Sequence, residues 1–328
     1  MARRALITGV AGQDGSLLGE LLLEQGYEVC GVVRSLARPL PNLDAVRERL
    51  ELVEVDLASA GAVAAVLRDL APQEVYNLAA ISHVPRSWEQ PVETAELGAV
   101  AVAALLESIR RAAPGARFFQ ASSAEIFGEP AEEPQTETTP IAPLTPYGAA
   151  KAFGHFLTRS YRLRYGLHAS SGILFNHESP RRPVDFVTRK VARGAASVRL
   201  GLADELLLGS LEARRDWAWA PDVVCGMWLM LQADEPDDYV LATGETHSVA
   251  ELAETAFARV GLDWREHVRV DPVLERGRTD ARQLVGDPTK ARERLGWTPT
   301  VGFEELVGRL VDAELAALTG PSAGTPSA

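Results

Sequence analysis

Two hydrophobic periods alternate along this chain. Ala5-Leu6-Ile7-Thr8 is a short apolar run that ends in glycines, and Leu17, Leu18, Leu21 and Leu22 follow at helical spacing until Gly26 stops them. The pattern predicts a strand, a turn and a helix. Val29 to Val33, Leu52 to Val55, Val75 to Leu78, Phe118 to Ala121 and Gly172 to Phe175 are further strand candidates, separated by helix-like stretches such as Val92 to Arg111. Alternation of this kind predicts an α/β fold: a Rossmann-type doubly wound parallel sheet whose ligands bind beyond the carboxyl ends of the strands.

After about residue 176 the pattern becomes irregular and richer in Arg, Pro and Trp. A smaller, interleaved C-terminal substrate-binding domain is therefore expected over 176–318, with 1–175 forming the dinucleotide-binding unit to which later segments return. Ser248 with Glu251 predicts a capping box opening a helix that Gly261 ends, and Asp287-Pro288 with Gly296 frames another. Residues 319–328 are Gly, Pro, Ser, Thr and Ala without an apolar anchor, and are expected to form a disordered tail. No internal repeat is visible.

Composition narrows the function classes. With 46% apolar and 24% charged residues the chain can bury a sizeable core, which excludes wholesale disorder. A net charge of −12 argues against general affinity for nucleic acid or anionic membranes, but not against a local cationic pocket for a phosphate. The apolar runs fall short of the roughly 18 to 20 residues of a membrane span, and Met1-Ala2-Arg3-Arg4 leads straight into a strand-like run, so a soluble, cytoplasmic protein is expected. Cys30 and Cys225 sit in separate apolar segments and read as buried thiols, neither a disulfide nor a metal site.

Thr8-Gly9-Val10-Ala11-Gly12-Gln13-Asp14-Gly15 places glycines three apart between a strand and a helix, where bare backbone can approach a pyrophosphate. At the end of the second strand Arg34 stands where an NAD site presents an acid to the ribose, so the 2′-phosphate of NADP is the preferred partner. Tyr147 and Lys151 share a helix face four residues apart, and the ammonium is expected to lower the phenol's pKa towards neutrality. Ala121-Ser122-Ser123-Ala124-Glu125, at the end of the fifth strand, adds a hydroxyl and a carboxylate to the same cleft.

From Arg4 to roughly Leu318 the chain resembles the extended short-chain dehydrogenase/reductases, and within them the GDP-mannose 4,6-dehydratases. The glycine loop is shared across the superfamily; Asn176-His177-Glu178-Ser179-Pro180, Phe186-Val187-Thr188-Arg189-Lys190 and Arg215-Asp216-Trp217 are more specific. The resemblance implies a homodimer or homotetramer joined through the helices around Val92 to Arg111 and Tyr147 to Tyr165, and a GDP-sugar substrate, GDP-mannose foremost. It implies Ser123, Glu125, Tyr147 and Lys151 as catalytic residues. NADP contacts are implied at Gly9, Gly12, Gln13, Asp14, Gly15, Arg34, Asp56, Leu57, Leu78, Ala79, Ala80, Tyr147, Lys151 and His177. Substrate contacts are implied at Ser82, Arg86, Ser87, Asn176, Val187, Lys190, Arg215 and Arg278.

Some residues depart from the family pattern. Ala124 replaces the usual Ser, Pro85-Arg86 replaces a small pair, and Arg276 to Arg282 matches only loosely. Ala124 and Arg86 keep an epimerase, or a dehydratase for another GDP-sugar, as the alternative; a non-catalytic dinucleotide sensor is disfavoured by intact Tyr147, Lys151 and Glu125.

Overall fold

In the first strand, β1 (Arg4–Thr8), Ala5 and Ile7 point into the core beneath the first helix, α1 (Gln13–Glu24), while Leu6 points into the core on the opposite face. The same alternation divides β2 (Glu28–Val33): Val29 and Val33 on one side, Cys30 and Val32 on the other. Strands covered on both faces need apolar side chains at every position, which is why they read as unbroken runs. The structure, a computed structural model, describes residues 2–274 and 283–320.

The chain continues through β3 (Glu51–Glu54), α2 (Ala60–Leu70), β4 (Glu74–Asn77), α3 (Val84–Glu89), α4 (Pro91–Ala95), α5 (Ala101–Ala112), β5 (Arg117–Ala121), α6 (Pro146–Tyr165) and β6 (Ala169–Leu174). It then leaves the sheet for β7 (Asn176–Glu178), α7 (Val187–Arg199), β8 (Leu206–Leu208), β9 (Arg214–Arg215), β10 (Trp217–Trp219) and α8 (Ala220–Gln232). One strand returns, β11 (Tyr239–Leu241), before β12 (His247–Ser248), α9 (Val249–Arg259), α10 (Trp264–His267), β13 (Val268–Val270), β14 (Gln283–Leu284), α11 (Thr289–Leu295) and α12 (Phe303–Thr319).

Among the described residues the large sheet has seven strands, all parallel, in the order β11-β6-β5-β4-β1-β2-β3. The order reverses between β1 and β4, so the crevice beyond their carboxyl ends is the topological switch point. Leu18 and Leu22 of α1 and Val223 and Met227 of α8 fill one face; Val63 and Leu67 of α2 and Leu105 and Ile109 of α5 fill the other. Each fully buried Leu or Ile contributes roughly 1.5–3 kcal/mol. A separate core joins α7, α9 and α12 through Val191, Ala195, Leu252, Phe257, Leu306 and Leu310.

Three expectations change. The stretch from Val92 to Arg111 is no single helix: a π-helical turn, Glu96–Val100, separates α4 from α5. Gly98 in that turn lies so close to α6 that a Cβ there would come within 2.8 Å of the Ala150 methyl. Cys30 is buried, but Cys225 is only half-buried. α12 runs one residue into the expected tail, because the Thr319 hydroxyl donates to the Leu315 carbonyl at 2.8 Å; 321–328 lie outside the described residues. The capping box of α9 forms as expected, and Gly261 and Gly296 follow α9 and α11 in the left-handed region.

One polar joint ties α1 to the segment that leaves the sheet. Gln13 donates to the His177 carbonyl at 3.1 Å and accepts from the Ser179 hydroxyl at 2.8 Å. The His177 ring is engaged at both nitrogens: Nδ1 lies 2.7 Å from the Phe175 carbonyl and Nε2 lies 2.9 Å from an Asp14 carboxylate oxygen. Both neighbours are acceptors, so the ring has to donate from both sides and is held as imidazolium. Burial alone would lower its pKa, but the charge and hydrogen bond of Asp14 override this and leave it raised. Burial likewise works against the Asp14 carboxylate, yet His177 and Gln13 pull it down to about 2.

The pair therefore stabilises the fold above the ordinary carboxylate value of 3.8 and below the ordinary imidazole value of 6.5, fading as pH falls towards about 2 or rises through the elevated His177 value. Asp14→Asn should cost about 1–3 kcal/mol inside that window and progressively less on either side. Thermal unfolding at a series of pH values checks this; a penalty that does not vary with pH would contradict it.

Candidate active site

The switch point is built from backbone held at close range. Gly9 adopts φ +70° against Ala79, where a Cβ would meet the Ala79 Cα at 2.9 Å. A Cβ on Gly15 would sit 2.3 Å from the Gly9 carbonyl oxygen, so α1 can begin there only because both positions lack a side chain. Gly12 caps α1 without offering a side-chain acceptor to the first-turn amides. The Thr8 hydroxyl donates to Asn77 at 2.6 Å and accepts from the Leu78 and Ala79 amides at 3.2 and 3.3 Å, binding the end of β4 to the loop. A helix N-terminus with uncapped amides beside a glycine loop fits the pyrophosphate of a dinucleotide.

A cavity of about 1900 Å³ opens over this loop. Every cofactor-site residue expected from the sequence lines it: Gly9, Gly12, Gln13, Asp14, Gly15, Arg34, Asp56, Leu57, Leu78, Ala79, Ala80, Tyr147, Lys151 and His177. Ser123 and Glu125 line the same cavity. Ser123, just past the end of β5, accepts the Glu125 amide at 3.3 Å and thereby shapes the short 3-10 turn that carries the carboxylate. Thr145 caps α6 by accepting from the Gly148 amide at 3.0 Å, which fixes Tyr147 in the first turn and Lys151 one turn later.

Lys151 donates to the Ala121 carbonyl at 2.7 Å, and its ammonium lies 5.7 Å from the centre of the Tyr147 ring. Burial lowers the Lys151 pKa to about 8, partly opposed by the charge of Asp14. The phenol departs from the expectation that Lys151 brings it near neutrality. Burial pushes Tyr147 up to about 12, the Ser123 hydrogen bond pulls it down, Glu125 adds to the rise and Arg182 opposes it. Desolvation disfavours the phenolate more than one ammonium beside the ring relieves.

On the substrate side, Ser82, Asn176, Val187, Lys190 and Arg215 line the cavity. Buried carboxylates brace the elements that carry them. Glu178 accepts the Thr188 hydroxyl at 2.6 Å, Glu314 accepts Arg189 and Arg193 at 2.5 and 3.3 Å, and together they fix α7. Asp216 accepts from the Thr243 amide and hydroxyl and from the Gly244 amide at 2.7–2.9 Å, which anchors the strand pair behind Arg215.

Arg86 and Ser87 do not join the cavity lining. α3 begins at Val84 with Pro85 in its first turn, so both are inside the helix: the Ser87 hydroxyl turns back to the Val84 carbonyl at 2.7 Å, and exposed Arg86 donates to Gln90 at 2.9 Å. Arg278 lies outside the described residues. Ala124 lines the cavity, and its methyl also belongs to a buried apolar cluster with Phe127 and Phe175, where a hydroxyl would be poorly placed.

Arg182 was not singled out from the sequence. Its guanidinium stacks 3.7 Å over the Phe186 ring, lies 3.4 Å from Glu178 and faces the cavity, adding positive charge that reaches both Asp14 and Tyr147. The signal for it was the Arg181-Arg182 pair directly after Asn176-His177-Glu178-Ser179-Pro180.

Comparison with known proteins agrees with this geometry. GDP-mannose 4,6 dehydratase 1 of Arabidopsis thaliana is 45% identical over 95% of this chain and 89% of its own length. The human GDP-mannose 4,6 dehydratase is 41% identical over 97% of this chain and 93% of its own. Among solved structures, the UDP-glucose 4-epimerase of Thermus thermophilus in complex with NAD superposes with a TM-score of 0.83 at 31% identity, covering 96% of this chain and 99% of that one. DesIV of Streptomyces venezuelae, a dTDP-glucose 4,6-dehydratase with NAD bound, gives 0.82 at 26% identity over 94% and 96%. The sequence model of the family described as GDP-mannose 4,6 dehydratase matches residues 6–310. A match over almost the entire chain, on a sheet whose switch point gathers Ser123, Glu125, Tyr147 and Lys151, makes this protein a member of the GDP-mannose 4,6 dehydratase family.

Proposed function

We propose that this chain dehydrates GDP-mannose to GDP-4-keto-6-deoxymannose, with a nicotinamide dinucleotide held at the glycine loop. The observation that carries this is the convergence of Tyr147, Lys151, Ser123 and Glu125 on one cavity with that loop, in a chain of this family. The NAD-bound structures it resembles support the cofactor class, and Arg34 at the end of β2 supports NADP over NAD. Residues 1–175 would hold the cofactor and 176–318 most of the sugar nucleotide.

Gly9, Gly12, Gly15 and Arg34 would hold the oxidised cofactor, which would supply hydride acceptance at C4 of the sugar and hydride return at C6. Tyr147 takes the C4 hydroxyl proton, with Ser123 hydrogen-bonded to the phenol and the cations Lys151 and Arg182 opposing its desolvation. The resulting ketone acidifies the C5 proton, which Glu125 removes while hydroxide leaves C6 as water. The proton released at C4 balances the one regained at C5, so one water is lost and nothing else. Lys190 and Arg215 supply positive charge for the diphosphate.

The same reading includes a homo-oligomer. Phe153 and Phe156 on α6 and Val92 and Val100 beside it are exposed, an apolar face suited to a second copy of the chain.

Incubation with a panel of nucleotide sugars, followed by mass spectrometry, should show loss of one water from GDP-mannose; isomerisation without mass change would overturn the assignment. Tyr147→Phe and Glu125→Gln should each lower kcat by about 10²–10⁴ with KM little altered, and wild-type rates in Glu125→Gln would remove it as the C5 base. Light scattering at micromolar concentration should report a dimer or larger species that Phe156→Glu weakens; a monomeric wild type would refute the oligomer.

A further inference from the structure

Arg34 is the first residue after β2, and its side chain is 60% exposed to the cavity it lines, so a ligand can reach it. The guanidinium is nevertheless occupied. Its Nη1 donates to a Glu93 carboxylate oxygen at 3.1 Å, across the cavity mouth from α4. Glu93 is on a braced element: Pro91 opens α4, the Thr94 hydroxyl donates to the Gln90 carbonyl at 2.8 Å, and the helix packs on α6. The neighbouring acid, Glu54, is engaged by the Leu36 amide at 2.9 Å.

We propose that Glu93 sets how strongly this site discriminates between a phosphorylated and an unphosphorylated adenosine ribose, by competing with the 2′-phosphate for Arg34. The inference rests on the assignment of Arg34 to that phosphate. A dianion entering here meets a cation whose charge is already shared, and a fixed carboxylate that repels it. A ribose with a free 2′-hydroxyl meets a neutral pair and suffers no such repulsion. Exposed ion pairs are individually weak, so the phosphate displaces Glu93 and does not fail to bind; the competition appears as lost discrimination. Arg34 confers the preference for the phosphate, and Glu93 limits it.

The test uses binding alone, with 2′,5′-ADP and 5′-AMP as probes that differ in the phosphate, titrated into the full chain by calorimetry. Glu93→Gln keeps the side-chain shape and removes the charge; it should raise the preference for 2′,5′-ADP over 5′-AMP by about fivefold. Arg34→Ala should bring that preference close to unity, and in that background Glu93→Gln should raise it by less than about twofold, because only the direct repulsion remains to be relieved. If Arg34→Ala collapses the preference but Glu93→Gln leaves it within twofold, the competition is refuted and the assignment of Arg34 stands. If Arg34→Ala leaves the preference intact, the assignment itself falls and takes the inference with it. Selective weakening of 5′-AMP by Glu93→Gln would make Glu93 a ribose acceptor and overturn the proposal.

Discussion

A helix N-terminus fit to receive a diphosphate should not carry an uncompensated carboxylate in its first turn, yet Asp14 stands there. His177 resolves the conflict: its doubly donating ring neutralises Asp14, leaving the first-turn amides to act on an incoming anion. The same contact closes the gap between the end of β6 and the start of β7, where the chain leaves the large sheet for the second lobe. Cofactor loop and lobe geometry are therefore fixed together, and Gln13 and Ser179 add the neutral hydrogen bonds that keep the joint from shearing.

Around this joint the cavity gathers cations, and it gathers carboxylates as well. Arg34, Arg38, Arg182, Lys190, Arg193 and Arg215 all line it, drawn from segments far apart in sequence. Arg182 and Arg193 are held by the buried acids Glu178 and Glu314, and Glu178 itself lines the cavity. Asp14, Glu54, Asp56, Glu93 and Glu125 share the same walls, so the crevice is mixed in sign and its pull on an anion is local to particular side chains.

What the sequence reveals most clearly is the sheet, because strands buried on both faces leave unbroken apolar runs, and the glycine loop, because a missing Cβ is itself a sequence feature. The convergence of the four proposed catalytic residues is legible for a similar reason: Tyr147 and Lys151 are one helical turn apart, and Ser123 and Glu125 follow a strand end. Arg86 and Ser87 are illegible because a proline starts a helix where an open loop was expected, turning one side chain outward and the other onto its own backbone. The basicity of Tyr147 is illegible too, since desolvation depends on everything packed around the ring. Arg182 gains its place through Phe186 and Glu178, contacts that exist only once the loop is folded.

The π-helical turn at Glu96–Val100 joins two helices that share one apolar pattern. It contains one residue more than an α-helical path would need, and its wider winding absorbs that residue, so α4 and α5 stay nearly in phase. Deleting a single residue there would restore regular winding with α4 close to its present bearing, because the wider turn had already absorbed the extra residue. Glu93 would keep its place opposite Arg34, and Val92 its exposure. A one-residue change of length can therefore be taken up inside this turn while the cavity mouth and the outer apolar face keep their register.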